Sequence, residues 1–298
     1  MRVFVTGATG FIGSAVVKEL IAAGHQVLGL CRSEEKAAAL AAAGAAVFRG
    51  SLEDLDGLRA GAAQSDGVLH LAFNHDFSKF AANCEDDRRV IRALGSVLVG
   101  SGRPLVVTSG TAMANTTPGQ AAREDKPTVG SHVVPRAASE EAAASLSEAG
   151  VNVSVVRLPQ VHDTVKQGLI TPVIGMFREK GVCAYIGDGH NRWPAAHVLD
   201  VARLYRLAIE RAEPEAKYHG VAEEGVAMRD IVEVLGRRLN LPVESIAPGE
   251  AQTHFGWLAM FAGTDMPASS ELTRRKLGWE PAGPGLMADL EKLQVPEA

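Results

Sequence analysis

Short apolar runs alternate with amphipathic stretches through the first half of the chain. The apolar runs fall at 3–6, 26–30, 45–49, 67–71, 105–108 and 151–157. Between them, apolar residues recur at helical spacing over 14–23, 33–43, 55–62, 86–101 and 137–149. Strands that are apolar along their whole length, each followed by a helix, predict an α/β fold with a parallel sheet covered on both faces. Strand order is not written in this pattern, but right-handed crossovers favour a doubly wound arrangement. Beyond Leu158 the rhythm loosens at Pro159, Pro172, Gly187, Gly189 and Pro194. Helical patterns resume at 198–212 and 228–239, residues 242–267 read as irregular, and 269–277 as a last short helix. Residues 1–158 are thus expected to form the main domain. Residues 159–298 are expected to form mainly a smaller C-terminal lobe over the strand ends, with some segments returning to the sheet.

The first strand runs straight into glycines at 7, 10 and 13, and the helical pattern follows at once. This is the opening of a dinucleotide-binding βαβ unit, the Rossmann arrangement. Gly7 permits the tight turn, Gly10 lets the backbone approach a pyrophosphate, and Gly13 lets the helix lie close to the sheet. Composition then removes other classes. Hydrophobic residues make up 46% of 298 residues, and the formal net charge is −5 with no long basic run, which argues against a nucleic-acid partner. Cys31, Cys84 and Cys183 lie far apart, so neither a disulfide framework nor a metal site is expected. No apolar run is long enough to span a membrane, and the first strand begins at residue 2, so a cytoplasmic protein without a signal peptide is expected.

With Thr6-Gly-Ala-Thr-Gly-Phe-Ile-Gly13 at its start, the chain resembles the extended short-chain dehydrogenase/reductase superfamily. The likeness continues in His70-Leu-Ala72, Thr108-Ser109, Arg157-Leu-Pro159, the Gly187-Asp-Gly189 turn with Arg192-Trp193, His197-Val-Leu-Asp200 and Leu277-Gly278-Trp279. These landmarks occur in order along nearly the whole chain. The resemblance implies a nicotinamide nucleotide as cofactor. It assigns the nucleotide contacts to Thr6, Gly7, Thr9, Gly10, Phe11, Ile12 and Gly13. Further contacts would come from Arg32, Ser33, Ser51, Leu52, Leu71, Ala72, Phe73, Thr108, Arg136, Leu158 and Pro159.

One landmark departs from the pattern. The superfamily carries Tyr-x-x-x-Lys after its catalytic hydroxyl residue, whereas here His132-Val-Val-Pro-Arg136 stands in that place. The chain thus resembles an atypical subgroup. His132 is a candidate proton donor, since imidazole titrates close to working pH. Arg136 is a candidate for the lysine's charge and ribose contact, although it cannot titrate. Pro135 leaves two geometries open: a kinked first turn that keeps His132 and Arg136 aligned, or a helix that begins only at Pro135. Ser109 and then Thr111 are candidates for the polarising hydroxyl.

Where NAD-preferring relatives carry an acidic residue, this chain has Cys31, then Arg32 and Ser33. A guanidinium suits a 2′-phosphate, so NADP(H) is expected over NAD(H). His162, Met176, His190, Trp193 and Trp257 are candidate substrate contacts in the lobe. The leading expectation is an NADP(H)-dependent oxidoreductase moving hydride to or from a carbonyl, imine or alcohol of a small organic molecule. Two rivals stand beside it: an epimerase or dehydratase that oxidises transiently, and a catalytically silent NADP-binding regulator. A homodimer is an expectation from the resemblance alone.

Overall fold

A computed structural model describes residues 1–114 and 117–294. Twelve strands follow in chain order: β1 (Arg2–Thr6), β2 (Gln26–Cys31), β3 (Ala46–Arg49), β4 (Gly67–His70), β5 (Pro104–Gly110) and β6 (Asn152–Leu158), then β7 (Gln160–His162), β8 (Cys183–Ile186), β9 (Arg192–His197), β10 (Lys217–His219), β11 (Glu223–Ala227) and β12 (Val243–Ile246). The helices are α1 (Phe11–Ala22), α2 (Glu34–Ala42), α3 (Leu55–Ala63), α4 (Phe80–Ser96), α5 (Ala138–Glu148), α6 (Ile170–Lys180), α7 (Val198–Arg211) and α8 (Met228–Leu239). Four short helices complete the order: α9 (Ala251–Phe255), α10 (Ala259–Ala262), α11 (Glu271–Leu277) and α12 (Leu286–Leu290).

Seven strands form one sheet in the order β10-β6-β5-β4-β1-β2-β3, and every pairing within it is parallel. Strand order reverses between β1 and β4, so their carboxyl ends flank the crevice where open α/β sheets take ligands. Val16, Val17 and Leu20 of α1 join Val201, Leu204 and Tyr205 of α7 in the core on one face. Leu58 of α3, Val90, Ile91 and Leu94 of α4, and Leu146 of α5 fill the other. Both faces are dry because the parallel strands carry apolar side chains on both sides.

Strand β10 belongs to the second half of the sequence, yet it pairs with β6 at the sheet edge. A separate core joins Phe177, Trp193, Ile231, Leu235, Phe255 and Leu258 in the lobe. Residues 242–267 are not irregular as expected. They hold β12, which pairs in parallel with β8, and the short helices α9 and α10. The expected helix at 86–101 instead runs Phe80–Ser96. Its buried seam of Asn83, Cys84, Asp87, Val90, Ile91 and Leu94 mixes polar with apolar residues, which hides the first turns from a hydrophobic period. Among the described residues, no helix is long and apolar enough to cross a membrane.

Candidate functional site

The turn between β1 and α1 leaves room for nothing larger than hydrogen at Gly7 and Gly13. Gly7 has φ +70°, and a Cβ there would lie 2.8 Å from the Ala72 backbone nitrogen. A Cβ on Gly13 would overlap the Gly7 carbonyl, so helix and turn touch backbone to backbone. Gly10 begins α1 without any side-chain cap, and its own N–H donates back to the Gly7 carbonyl at 2.9 Å. The first N–H groups of α1 therefore lack a side-chain acceptor and sit at the positive end of the helix dipole. That cradle fits a dinucleotide pyrophosphate.

On the β2–β3 side, Cys31 is buried and its thiol meets the Ser33 carbonyl at 3.3 Å. The Ser33 hydroxyl accepts from the Lys36 N–H at 3.3 Å and caps α2. Arg32 is exposed beyond them. Across from it, a hydrogen bond from Ser51, one from its own backbone, and the Arg32 charge hold the Glu53 carboxyl below its usual range. Leu52, Leu55, Asn74, Asn83 and Val90 line a neighbouring cavity of about 320 Å³. Its place between the β3 and β4 loops suits the adenosine end of a nucleotide.

The β4–β5 side holds a continuous buried polar chain. The Ala72 N–H donates to Thr6 Oγ1 at 3.3 Å, and the Thr6 hydroxyl meets His70 Nδ1 at 2.7 Å. His70 Nε2 donates to Asp87 Oδ1 at 2.9 Å. The other Asp87 oxygen accepts from Ser139 at 2.5 Å and from Arg136 at 2.9 Å. Burial opposes the Asp87 charge. The Arg136 and His70 charges and the hydrogen bonds from His70 and Ser139 outweigh it, lowering its pKa to about 2. Arg136 also donates to the Thr108 carbonyl at 3.0 Å and lies over the Phe73 ring, 4.3 Å from its centroid. A permanent cation is thereby clamped across the ends of β4 and β5.

Pro135 decides the geometry of the substituted motif. Val134 is extended (φ −130°, ψ 109°), Pro135 opens a single 3₁₀ turn through Ala137, and α5 follows. His132 falls on the exposed turn before that break, its ring lying where a Gly130 Cβ would be. The i,i+4 alignment with Arg136 is absent.

The candidate hydroxyls are spent elsewhere. Ser109 is buried and donates to Glu140 at 2.7 Å. Glu140 pairs with the fully buried Arg157 at 2.7 and 2.8 Å, and Arg157 reaches His219 at 3.3 Å. Thr111 is buried beside the Leu158 carbonyl at 3.5 Å, and Pro159 follows that carbonyl in sequence. The Thr108 hydroxyl donates to the His70 carbonyl at 2.7 Å and meets Tyr205 OH at 2.7 Å. Tyr205 and Tyr218 are wholly buried, and Tyr185 lies on β8 in the lobe with Arg229 over its ring. None of the three tyrosines faces this cleft.

Of the lobe candidates, Trp257 alone is seen to reach the cleft. Its ring stacks on Phe77 from the loop after β4, with centroids 4.0 Å apart and planes within 7°. Trp193 is fully buried in the lobe core, where its Nε1–H finds no partner among the described residues. His162 is fully buried and bonded through Nδ1 to Asp289 at 2.7 Å. Met176 is half-buried against the lobe core, and His190 is exposed on a turn.

A family model described as the NAD dependent epimerase/dehydratase family matches residues 3–221. The chain belongs to the NAD-dependent epimerase/dehydratase family. It is 47% identical over 291 residues to an uncharacterized protein of Schizosaccharomyces pombe, covering 97% of this chain and 98% of that one. An uncharacterized Saccharomyces cerevisiae protein is 42% identical over 293 residues, with 97% and 98% covered. The fold is that of a dTDP-glucose 4,6-dehydratase from Streptomyces venezuelae, with TM-score 0.78 at 19% identity, covering 98% of this chain and 96% of that chain. This epimerase/dehydratase family member is an enzyme of the short-chain dehydrogenase/reductase type, an oxidoreductase that transfers hydride with a nicotinamide nucleotide.

Sequence reasoning passed over Asp87, Ser139, Glu140 and His75. Asp87 and Arg136 are 49 positions apart, and no local pattern pairs them. His75 carried a usable signal. Phe73, His75, Phe77 and Phe80 crowd one loop in a chain with only 5% aromatic residues.

Proposed function

We propose that the protein is an NADP(H)-dependent dehydrogenase or reductase that interconverts the carbonyl and alcohol of a small, partly apolar organic molecule. The observation that carries this reading is the clamped Arg136 guanidinium at the ends of β4 and β5, facing Phe73 and fixed by Asp87. The uncapped α1 N-terminus would hold the pyrophosphate and Leu52 would face the adenine. Arg32 would pair with the 2′-phosphate, and Arg136 would take the ribose contact that a lysine makes elsewhere in the superfamily. When bound, the nucleotide supplies or accepts the hydride. Phe77 and Trp257 supply an apolar wall against the substrate.

A net redox reaction is favoured over epimerisation of a sugar nucleotide because two of the lobe's arginines, Arg192 and Arg229, are already paired. Arg192 is bonded to Asp265 and the Gly119 carbonyl, and Arg229 to Glu233. Those cations are already neutralised rather than presented to a diphosphate.

Two measurements test the proposal. Calorimetric titration should show tighter binding of NADPH than NADH, with Arg32→Ala losing roughly ten- to hundredfold in NADPH affinity and little for NADH. Equal wild-type affinities, or unchanged selectivity in the variant, would remove the NADP assignment. Loss of NADPH absorbance with a panel of aldehydes, ketones and quinones should then show net cofactor consumption. Interconversion of sugar nucleotides without net consumption would replace the reductase by the epimerase reading.

A further inference from the structure

Five rings from two parts of the molecule meet beside the Arg136 clamp. The His75 ring stands edge-on to Phe73, with centroids 5.5 Å apart and planes at 83°, and meets Phe77 at 6.1 Å. Phe80 touches both phenylalanines, and Phe77 stacks on Trp257 of the lobe. Phe73 carries the Arg136 guanidinium on its face. His75 is thus placed between the clamped cation and the wall against which a substrate would lie.

Its chemistry suits that place. His75 is an exposed residue, but partial desolvation against the neighbouring rings, followed by the Arg136 charge, draws its pKa below the ordinary histidine value. The Phe73 backbone offsets part of this by favouring the protonated ring. Of the charged groups around it, Arg136 is the one that acts on the ring, and its ring neighbours are uncharged. The other candidate proton carriers are placed differently: Ser109 is committed to Glu140, Thr111 is buried beside the Leu158 carbonyl, the tyrosines lie elsewhere, and His132 is on an outer turn.

We propose that His75 exchanges the proton with the substrate oxygen, an inference that rests on the dehydrogenase reading above. In the oxidising direction the alcohol O–H bond breaks and its proton passes to the unprotonated ring nitrogen. The hydride leaves the same carbon with its electron pair for the oxidised nucleotide, which yields the carbonyl, the reduced nucleotide and an imidazolium. The imidazolium returns its proton to water. Reduction runs the same bonds in reverse, the imidazolium N–H breaking as the carbonyl oxygen becomes hydroxyl. Holding the imidazole neutral favours the base role at neutral pH, and it makes reduction fall off as pH rises through the His75 pKa.

The test uses the full-length wild type with His75→Asn, His75→Gln and His132→Asn. In the NADP⁺ complex, nuclear Overhauser effects should connect the His75 ring protons to nicotinamide H4 and vanish in His75→Asn, with none to His132. With NADPH and 9,10-phenanthrenequinone or 4-nitrobenzaldehyde, both His75 variants should lower the single-turnover rate roughly 10²–10⁴-fold. NADPH affinity should stay within about twofold, and His132→Asn should retain its rate. The pH dependence of the wild-type rate should flatten in the His75 variants. An Overhauser contact to His132 instead, none to His75, or a wild-type rate in His75→Gln would overturn the proposal. Failure of both NADP(H) and NAD(H) to bind would instead overturn the dehydrogenase reading beneath it.

Discussion

Asp87→Asn tests whether the buried chain from Thr6 to Arg136 holds the cleft together. The substitution keeps the shape and an oxygen for His70, but it removes the charge that faces Arg136. It also leaves an amide N–H₂ where two acceptor contacts stood. The depression of the Asp87 carboxyl from 3.8 to about 2 corresponds to roughly 2 kcal/mol of stability at neutral pH. With its side chain 3% exposed and that of Arg136 15% exposed, screening by water removes little of this. Breaking a buried ion pair costs about 3–5 kcal/mol, and the retained oxygen places the variant near the low end. The expected loss is about 2–3 kcal/mol, or roughly 3–5 °C in Tm for a chain of this length. Because the folded pKa is depressed, the stabilisation is complete above about pH 4 and disappears as pH falls through about 2. Wild type should therefore lose stability over that window, with a correspondingly flatter slope in the variant. Denaturant melts at pH 7 and across pH 2–5, with NADPH calorimetry alongside, make the measurement. A variant that melts within about 1 °C of wild type and binds NADPH unchanged would refute the idea that Asp87 positions Arg136.

Gly13→Ala should abolish the close contact of α1 with the Gly7 carbonyl and weaken NADPH binding by about tenfold or more, equivalent to about 1.4 kcal/mol, as read by calorimetry. His219 is buried, donates to the Ser269 carbonyl at 2.9 Å and faces Arg157, and burial followed by the Arg157 charge lowers its pKa to about 3. An imidazole that must stay neutral when folded costs stability as pH falls below the unfolded value of about 6.5. Denaturant melts between pH 7 and 4 should therefore steepen in wild type and flatten in His219→Gln, and equal slopes would contradict the assignment.

Much of the architecture was legible because it is written in short-range periods. The apolar runs and the helical spacing between them gave the first six strands of the sheet, since a residue's face in a strand or helix depends only on near neighbours. The glycine turn was equally readable: Gly7 and Gly13 meet backbone constraints that no other side chain satisfies, and the strand and helix beside them are local. The break at Pro135 was a local rule as well, although two geometries satisfied it. The early start of α4 was obscured because Asn83 and Asp87 are polar at buried positions, Asn83 held by the preceding loop at Asn74 and Asp76 and Asp87 by Arg136 and Ser139 from far along the chain.

The working parts of the cleft depended on contacts that no window of sequence contains. Asp87 becomes a clamp when α4 and the turn before α5 converge on the ends of β4 and β5. His75 comes into the ring cluster beside Arg136 because Phe73 stands under Arg136 and Trp257 arrives from the lobe to cover Phe77. Ser109 looked available in sequence, but α5 brings Glu140 across to take its hydroxyl. Local pattern specifies which face of an element is dry. Which polar groups meet there is set by the packing of elements far apart in sequence, because a buried charge or hydroxyl takes whatever partner the fold brings within reach.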